Sequence, residues 1–154
     1  ECEGEEGIMS AIMDSENGFV VFSVAQAGKT QAENVAAAAF IERKLRAMRV
    51  PFHSCLGCYK GVRELSFMLE GQRDNLYLAT LLALDYHQET ILVCRADKTC
   101  YLVDPETATS IDVMLQTVVA ELGRWRPIHR STAGYLEGLG EAWTLCEGEY
   151  YVCG

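Results

Sequence analysis

The sequence predicts an α+β sandwich in which two helices cover one face of an antiparallel sheet. Three observations predict it. Short apolar runs bounded by turn residues have the length of strands. Two longer segments space their apolar residues as amphipathic helices do. The two kinds follow one another in the order βαββαβ.

The first run, Gly18–Val24, is rich in Val and Phe and lies between Asn17-Gly18 and Gly28, as a buried strand does. From Lys29 to Met48 the apolar positions Val35, Ala38, Ala39, Ile41, Leu45 and Met48 recur at helical spacing, with Glu42, Arg43, Lys44 and Arg46 between them. Pro51 follows where a proline ends such a segment. Phe52–Tyr59 and Arg63–Glu70 flank Gly61 as a hairpin, and Leu65, Phe67 and Leu69 alternate with Glu64, Ser66 and Met68. Gln72–His87, begun near Asp74, puts Leu76, Ala79, Leu82 and Ala83 on one helical face. Ile91–Cys94 and Cys100–Val103 are short apolar runs on either side of the polar turn Arg95–Thr99. This order is the ferredoxin-like, split-βαβ arrangement with one extra strand. Beyond Pro105, Ile111–Leu122 has helical spacing, Gly123–Gly140 is loop-like, and Ala142–Cys146 with Tyr150–Cys153 forms a closing hairpin around Gly148. Two helices leave the other sheet face open, and an open apolar face calls for a partner, most simply another copy of the chain.

A chain of 154 residues holds one core and is short of two domains. With 49% apolar and 23% charged residues, it belongs with globular chains rather than disordered ones. The net charge of −9 is unevenly placed: residues 1–16 carry six acids and no base, leaving 16 acids against 13 bases in the rest. Residues 1–16 therefore read as an acidic flexible segment, its first dozen residues outside the fold, and residues 17–154 as a single α/β sandwich domain. A near-neutral body without a Lys/Arg stripe excludes nucleic acid as a partner. The longest apolar stretches, Val35–Ile41 and Leu76–Leu84, fall short of the roughly 18 residues a bilayer demands, which excludes a membrane protein. No basic stretch followed by an apolar one opens the chain, so a cytoplasmic location is expected. Seven cysteines, an odd number scattered through strand-like runs, read as buried thiols.

Cys55-Leu56-Gly57-Cys58 invites a metal or redox reading. There is no second such pair, His53, His87 and His129 are not in ligand spacing, and a redox pair should open a helix rather than lie in a strand. Structural thiols fit better, and neither a metal nor a cofactor is expected. Gly28-Lys29-Thr30 resembles the end of a phosphate loop, but Ser23 stands where its first glycine should be. Ser23–Gly28 is then either a turn leading to a helix cap or a polar loop holding a substrate's polar groups. Tyr59 and Glu70, at ends of the hairpin read as neighbouring, pair a phenol with a carboxylate able to orient a polar substrate; the plainer alternative is a sheet tyrosine and a surface glutamate.

Several of these residues together resemble the phage-encoded enzymes that degrade S-adenosylmethionine. The likeness runs through Val21-Phe22-Ser23-Val24-Ala25 and the helix after it, Gly57-Cys58-Tyr59 with Lys60, Tyr59 with Glu70 eleven residues on, and Ile91-Leu92-Val93, covering residues 18–103. It implies α/β sandwiches similar to PII-like trimers, here with a C-terminal extension, and active sites between subunits. It also implies a lyase that yields 5′-methylthioadenosine and L-homoserine lactone. Carried over residue by residue, it makes Glu70 the carboxylate that stabilises and orients substrate and Tyr59 the hydrogen-bonding group beside it. Ser23, Gln26 and Gly28 would hold the methionine end. A non-catalytic PII-like trimer binding an adenine-containing effector is the competing expectation, and a purely structural oligomer a third.

Overall fold

The computed structural model describes residues 11–59, 62–106, 121–128, 143–146 and 149–153, with side chains described for residues 11–57 and 64–106. β1 (Phe19–Ser23) is followed by α1 (Gln31–Ala47), the hairpin β2 (Phe52–Tyr59) and β3 (Val62–Glu70), then α2 (Arg73–Asp85) and β4 (Ile91–Cys94). β5 (Thr99–Val103), β6 (Glu121–Ile128), β7 (Trp143–Cys146) and β8 (Glu149–Cys153) complete the chain. The first four strands lie in the order β4-β1-β3-β2, all antiparallel, which is the ferredoxin-like order expected. β5 pairs with β4, and β6, β8 and β7 carry the sheet round to β2, closing an antiparallel ring of eight strands.

Local chemistry sets the helix ends. Thr30 caps α1 through its hydroxyl, which accepts from the Glu33 backbone N–H at 3.1 Å, while Glu33 Oε1 accepts from the Thr30 N–H at 3.0 Å. The helix closes where Arg49 adopts φ 59°, so that the Val50 N–H reaches the Leu45 carbonyl at 3.0 Å. α2 ends the same way at His87, with φ 54° and Gln88 N–H bonded to the Ala83 carbonyl at 2.8 Å.

The helices cover one sheet face. Val20, Phe22 and Val24 of β1 with Phe67 and Leu69 of β3 pack against Ala38, Ile41 and Leu45 of α1 and against Leu76, Ala79, Leu82 and Ala83 of α2. The buried stripe of α1 is narrower than its apolar spacing suggested, for Val35 and Met48 are exposed.

The other face differs from expectation. Phe19, Val21, Cys55, Met68, Cys94 and Cys100 form a second buried cluster, joined by Ile12 from the short helical turn at residues 11–13. Closure of the sheet turns this face inward, so it is not the open apolar surface that the strand and helix count implied. The described part of the acidic segment is held there: Lys98 Nζ donates to the Met13 carbonyl at 2.7 Å and lies 3.6 Å from the Asp14 carboxylate.

Beyond Pro105 the closing hairpin is present, with Trp143 opposite Val152 and Cys146 opposite Glu149. Residues 121–128, divided by sequence between a helix and a loop, are instead strand β6. Its Gly123 and Pro127 suit a loop locally, and only pairing with β5 and β8 makes it a strand. The remainder of those two segments lies outside the described residues.

Candidate functional site

Strand register decides which site residues can meet. In β2 and β3, Tyr59 is opposite Val62 at the turn, while Phe52 at the other end is opposite Leu69, next to Glu70. Tyr59 and Glu70 thus stand at opposite ends of the hairpin, not at neighbouring ones. Eight residue-to-residue steps along β3 lead from Val62 to Glu70, a path on the order of 25 Å at strand rise. Ser23 is opposite Ser66 and Phe19 is opposite Glu70, so the Ser23–Gly28 loop leaves β1 halfway along β3, heading toward the Tyr59 end. One chain therefore has Tyr59 at one end of the hairpin and Glu70 at the other, with the loop starting between them and running toward Tyr59.

At the Glu70 end, Gly71 N–H bonds to the Gly18 carbonyl at 2.8 Å, locking the exit of β3 onto the entry of β1. Gly18 has φ 70°, and a Cβ there would run into the Cys94 carbonyl oxygen; one on Gly71 would meet that of Asn17. The Glu70 backbone carbonyl accepts from Asn75 Nδ2 at 3.0 Å, and its carboxylate accepts a short hydrogen bond from the Gln72 side-chain amide. No ion pair engages Glu70 among the described residues. Among the described residues its carboxylate meets the neutral Gln72 amide and no countercharge, an arrangement in which a cationic partner would add charge-assisted hydrogen bonds.

At the start of the loop, the Ser23 hydroxyl is buried, donating to the Leu65 carbonyl at 2.8 Å and accepting from the Ala25 N–H at 3.1 Å. Its work is within the fold, tying the loop to the sheet. Asn34 holds Gln26 by both backbone groups, accepting from its N–H at 2.9 Å and donating to its carbonyl at 3.1 Å. Gln88 Nε2 donates to the Ala25 carbonyl at 2.5 Å. The Gln26 side chain makes no hydrogen bond among the described residues, and Gly28 is exposed, with nothing within 4 Å of where a Cβ would stand. The loop is a turn leading to the Thr30 cap, and its backbone is fixed enough to present Gln26 and Gly28. Tyr59's backbone position is described; its side chain lies outside the described residues.

Residues that the sequence did not single out are Asn34, Gln72, Asn75 and Gln88, which hold the loop and Glu70, and Glu64 in β3. Burial pushes the Glu64 carboxyl up to about 7. Asn34 and Asn75 carried a faint signal, polar side chains early in helices that can reach back to preceding backbone. Gln88 carried none, because its partner is 63 residues away.

Cys55, Cys94 and Cys100 are buried thiols, as the cysteine pattern suggested, with Cys94 and Cys100 directly opposite and their sulfurs 3.0 Å apart. The side chains of the other four cysteines lie outside the described residues. Among the described residues no three His, Cys, Asp or Glu side chains gather as metal ligands, and no helix is long and apolar enough to cross a membrane.

No curated protein matches the chain. The family model described as the S-Adenosylmethionine lyase family matches residues 20–154, taking in Tyr59, Glu70, the Ser23–Gly28 loop and the C-terminal strands beyond the span where the likeness was first visible. The chain therefore belongs to the S-adenosylmethionine lyase family, and is an enzyme that degrades S-adenosylmethionine.

Proposed function

We propose that the enzyme converts S-adenosylmethionine to 5′-methylthioadenosine and L-homoserine lactone. The substrate's own carboxylate oxygen attacks its γ-carbon, the carbon–sulfur bond breaks, and the electron pair leaves on sulfur as a neutral thioether. No water, proton or metal enters the balance. A hydrolase would need a positioned water and a base; here the protein mainly has to fold the substrate so that oxygen, carbon and sulfur are in line. Such positioning supplies up to about 7–11 kcal/mol in favourable intramolecular cases. Glu70 orients the cationic substrate, Tyr59 hydrogen bonds beside it, and Gln26 and Gly28 hold the methionine end, with Ser23 fixing their loop. Nothing in the fold or the family match points to a non-catalytic effector-binding trimer.

The observation that carries the site reading is the register. Tyr59 and Glu70 of one chain are too far apart to hold one small substrate, whereas Glu70 of one copy and Tyr59 of another are not so constrained. This supports a homo-oligomer, a trimer by resemblance, with active sites between subunits. Tyr77 and Leu81, exposed one turn apart on α2, offer apolar surface for such contacts. In the biological setting we propose, a phage protein acts in the host cytoplasm and depletes the methyl donor on which host methylation and some restriction systems depend.

The test mixes two defective chains. Tyr59→Ala and Glu70→Gln proteins, each nearly inactive in releasing 5′-methylthioadenosine, regain part of the wild-type rate when co-assembled, because some interfaces then receive an intact copy of each residue. Absence of any regain in proven mixed oligomers overturns the shared site. A fully active monomer in sedimentation does so as well.

A further inference from the structure

Glu64 is a carboxylate that the roles assigned so far leave unused. It lies in β3 directly opposite Gly57 and two residues from Ser66, which is itself opposite Ser23 on one side and Cys55 on the other. Side chains alternate along a strand, so Glu64 shares the face of Ser66 and Ser23. It stands between Ser66 and the β2–β3 turn, on the half of β3 that leads to Tyr59 and toward which the Ser23–Gly28 loop runs.

Its surroundings withdraw it from water, and among the described residues none provides a partner. Glu64 is partly buried, and among the described residues its carboxylate takes part in no hydrogen bond or ion pair. Gly57 across from it contributes no side chain. Desolvation alone holds its carboxyl up to about 7. A carboxylate in this condition gains most from a ligand bringing both positive charge and hydrogen-bond donors, because each answers one of its two deficits.

S-adenosylmethionine carries two cations. The sulfonium has charge but no N–H or O–H; the α-ammonium has charge and three donors, as a lysine head does. We propose that Glu64 is a further substrate-binding residue whose carboxylate takes the α-ammonium group of S-adenosylmethionine. The proposal rests on the reading that Tyr59 and the Ser23–Gly28 loop line the site. It gives that half of the sheet the charged group its loop lacks and leaves Glu70, from another copy, to the rest of the substrate.

The test compares Glu64→Gln with wild type, using KM for S-adenosylmethionine and competitive inhibition constants for two analogues. S-adenosylhomocysteine keeps the ammonium but has a neutral sulfur; 5′-methylthioadenosine has neither charge. The variant should weaken binding of the first two about tenfold or more and leave methylthioadenosine unchanged, with KM rising more than kcat falls. Equal weakening of all three marks a structural role, and weakening confined to S-adenosylmethionine marks the sulfonium as partner; either result, or no change, overturns the proposal. Glu64→Asp, which keeps the charge, should show the same order of effects at smaller size and serves if the glutamine variant folds poorly. Wild-type turnover and the mixed-chain experiment test the underlying site reading separately.

Discussion

Glutamine in place of Glu70 keeps the side chain's length and one acceptor oxygen while removing its charge. Because charge-assisted hydrogen bonds contribute about 1.5–3 kcal/mol, Glu70→Gln should lower turnover at least about tenfold if the loss is felt in the transition state. Tyr59→Phe removes only a hydroxyl and should be milder; steady-state release of methylthioadenosine with circular dichroism as a folding control checks both. Glu64 gives a different readout in the substrate-free protein. Its folded pKa of about 7 lies above the ordinary 4.5, so its favourable contribution is whole below about pH 4.5 and lost as pH rises through about 7. Glu64→Gln should therefore gain in Tm relative to wild type between about pH 5 and pH 8, and not below about pH 4. At this scale the sequence showed which residue types carry the chemistry, but not where they meet. Tyr59 and Glu70 were legible as a phenol and a carboxylate eleven residues apart; that they flank opposite ends of a hairpin follows only from the Tyr59–Val62 pairing. Glu64 was legible only as a member of an alternating strand, and nothing local says that Ser66 and Met68 on its face are buried as fully as Phe67 and Leu69.

The elements through β5 were legible almost to the residue, since each announces itself by a period, a cap or a turn. α1 begins at the residue after its Thr30 cap, and β4 is Ile91–Cys94 as read. β6 was not legible, because Gly123 and Pro127 disfavour a strand and long-range pairing overrides them. The junction between elements that positions Glu70 is the crossing of Gly18 and Gly71. Gly18→Ala should destabilise the protein by roughly 2 kcal/mol or more, since a Cβ meets the Cys94 carbonyl and the backbone is left-handed there. Gly28→Ala is the matched control: its Cβ meets nothing within 4 Å, and stability should stay within about 0.5 kcal/mol. Chemical denaturation of the two variants checks the contrast. A rise in KM for Gly28→Ala with unchanged stability would further support substrate packing against that loop.

For the whole molecule, the ferredoxin-like half was readable from the order of its elements and the β7–β8 hairpin from its apolar runs, while closure of the ring was not, because nothing local marks β6 as a strand or shows that the hairpin pairs with β2 and β6. That closure removed one argument for self-association, the open sheet face, and left the separation of Tyr59 from Glu70 as the stronger one. It also has a bearing on how copies of the chain can touch. An open four-stranded sheet ends in two strands with unpaired backbone N–H and C=O groups, ready templates for further strands and for aggregation. Here Leu56–Cys58 of β2 pair with β7 and Ile91–Cys94 of β4 pair with β5, so the ring covers those stretches of both margins. In the oligomer proposed above, these paired stretches are not open to strand addition, so contacts there would come from side chains, and surface substitutions could tune the assembly without disturbing the backbone ladder. Removing residues from Trp143 onward would strip β7 from β2 and β8 from β6. The shortened chain should scatter light and sediment as heterogeneous aggregates where the full chain forms one discrete species, because two newly bared strands would seek each other in place of the partners they lost.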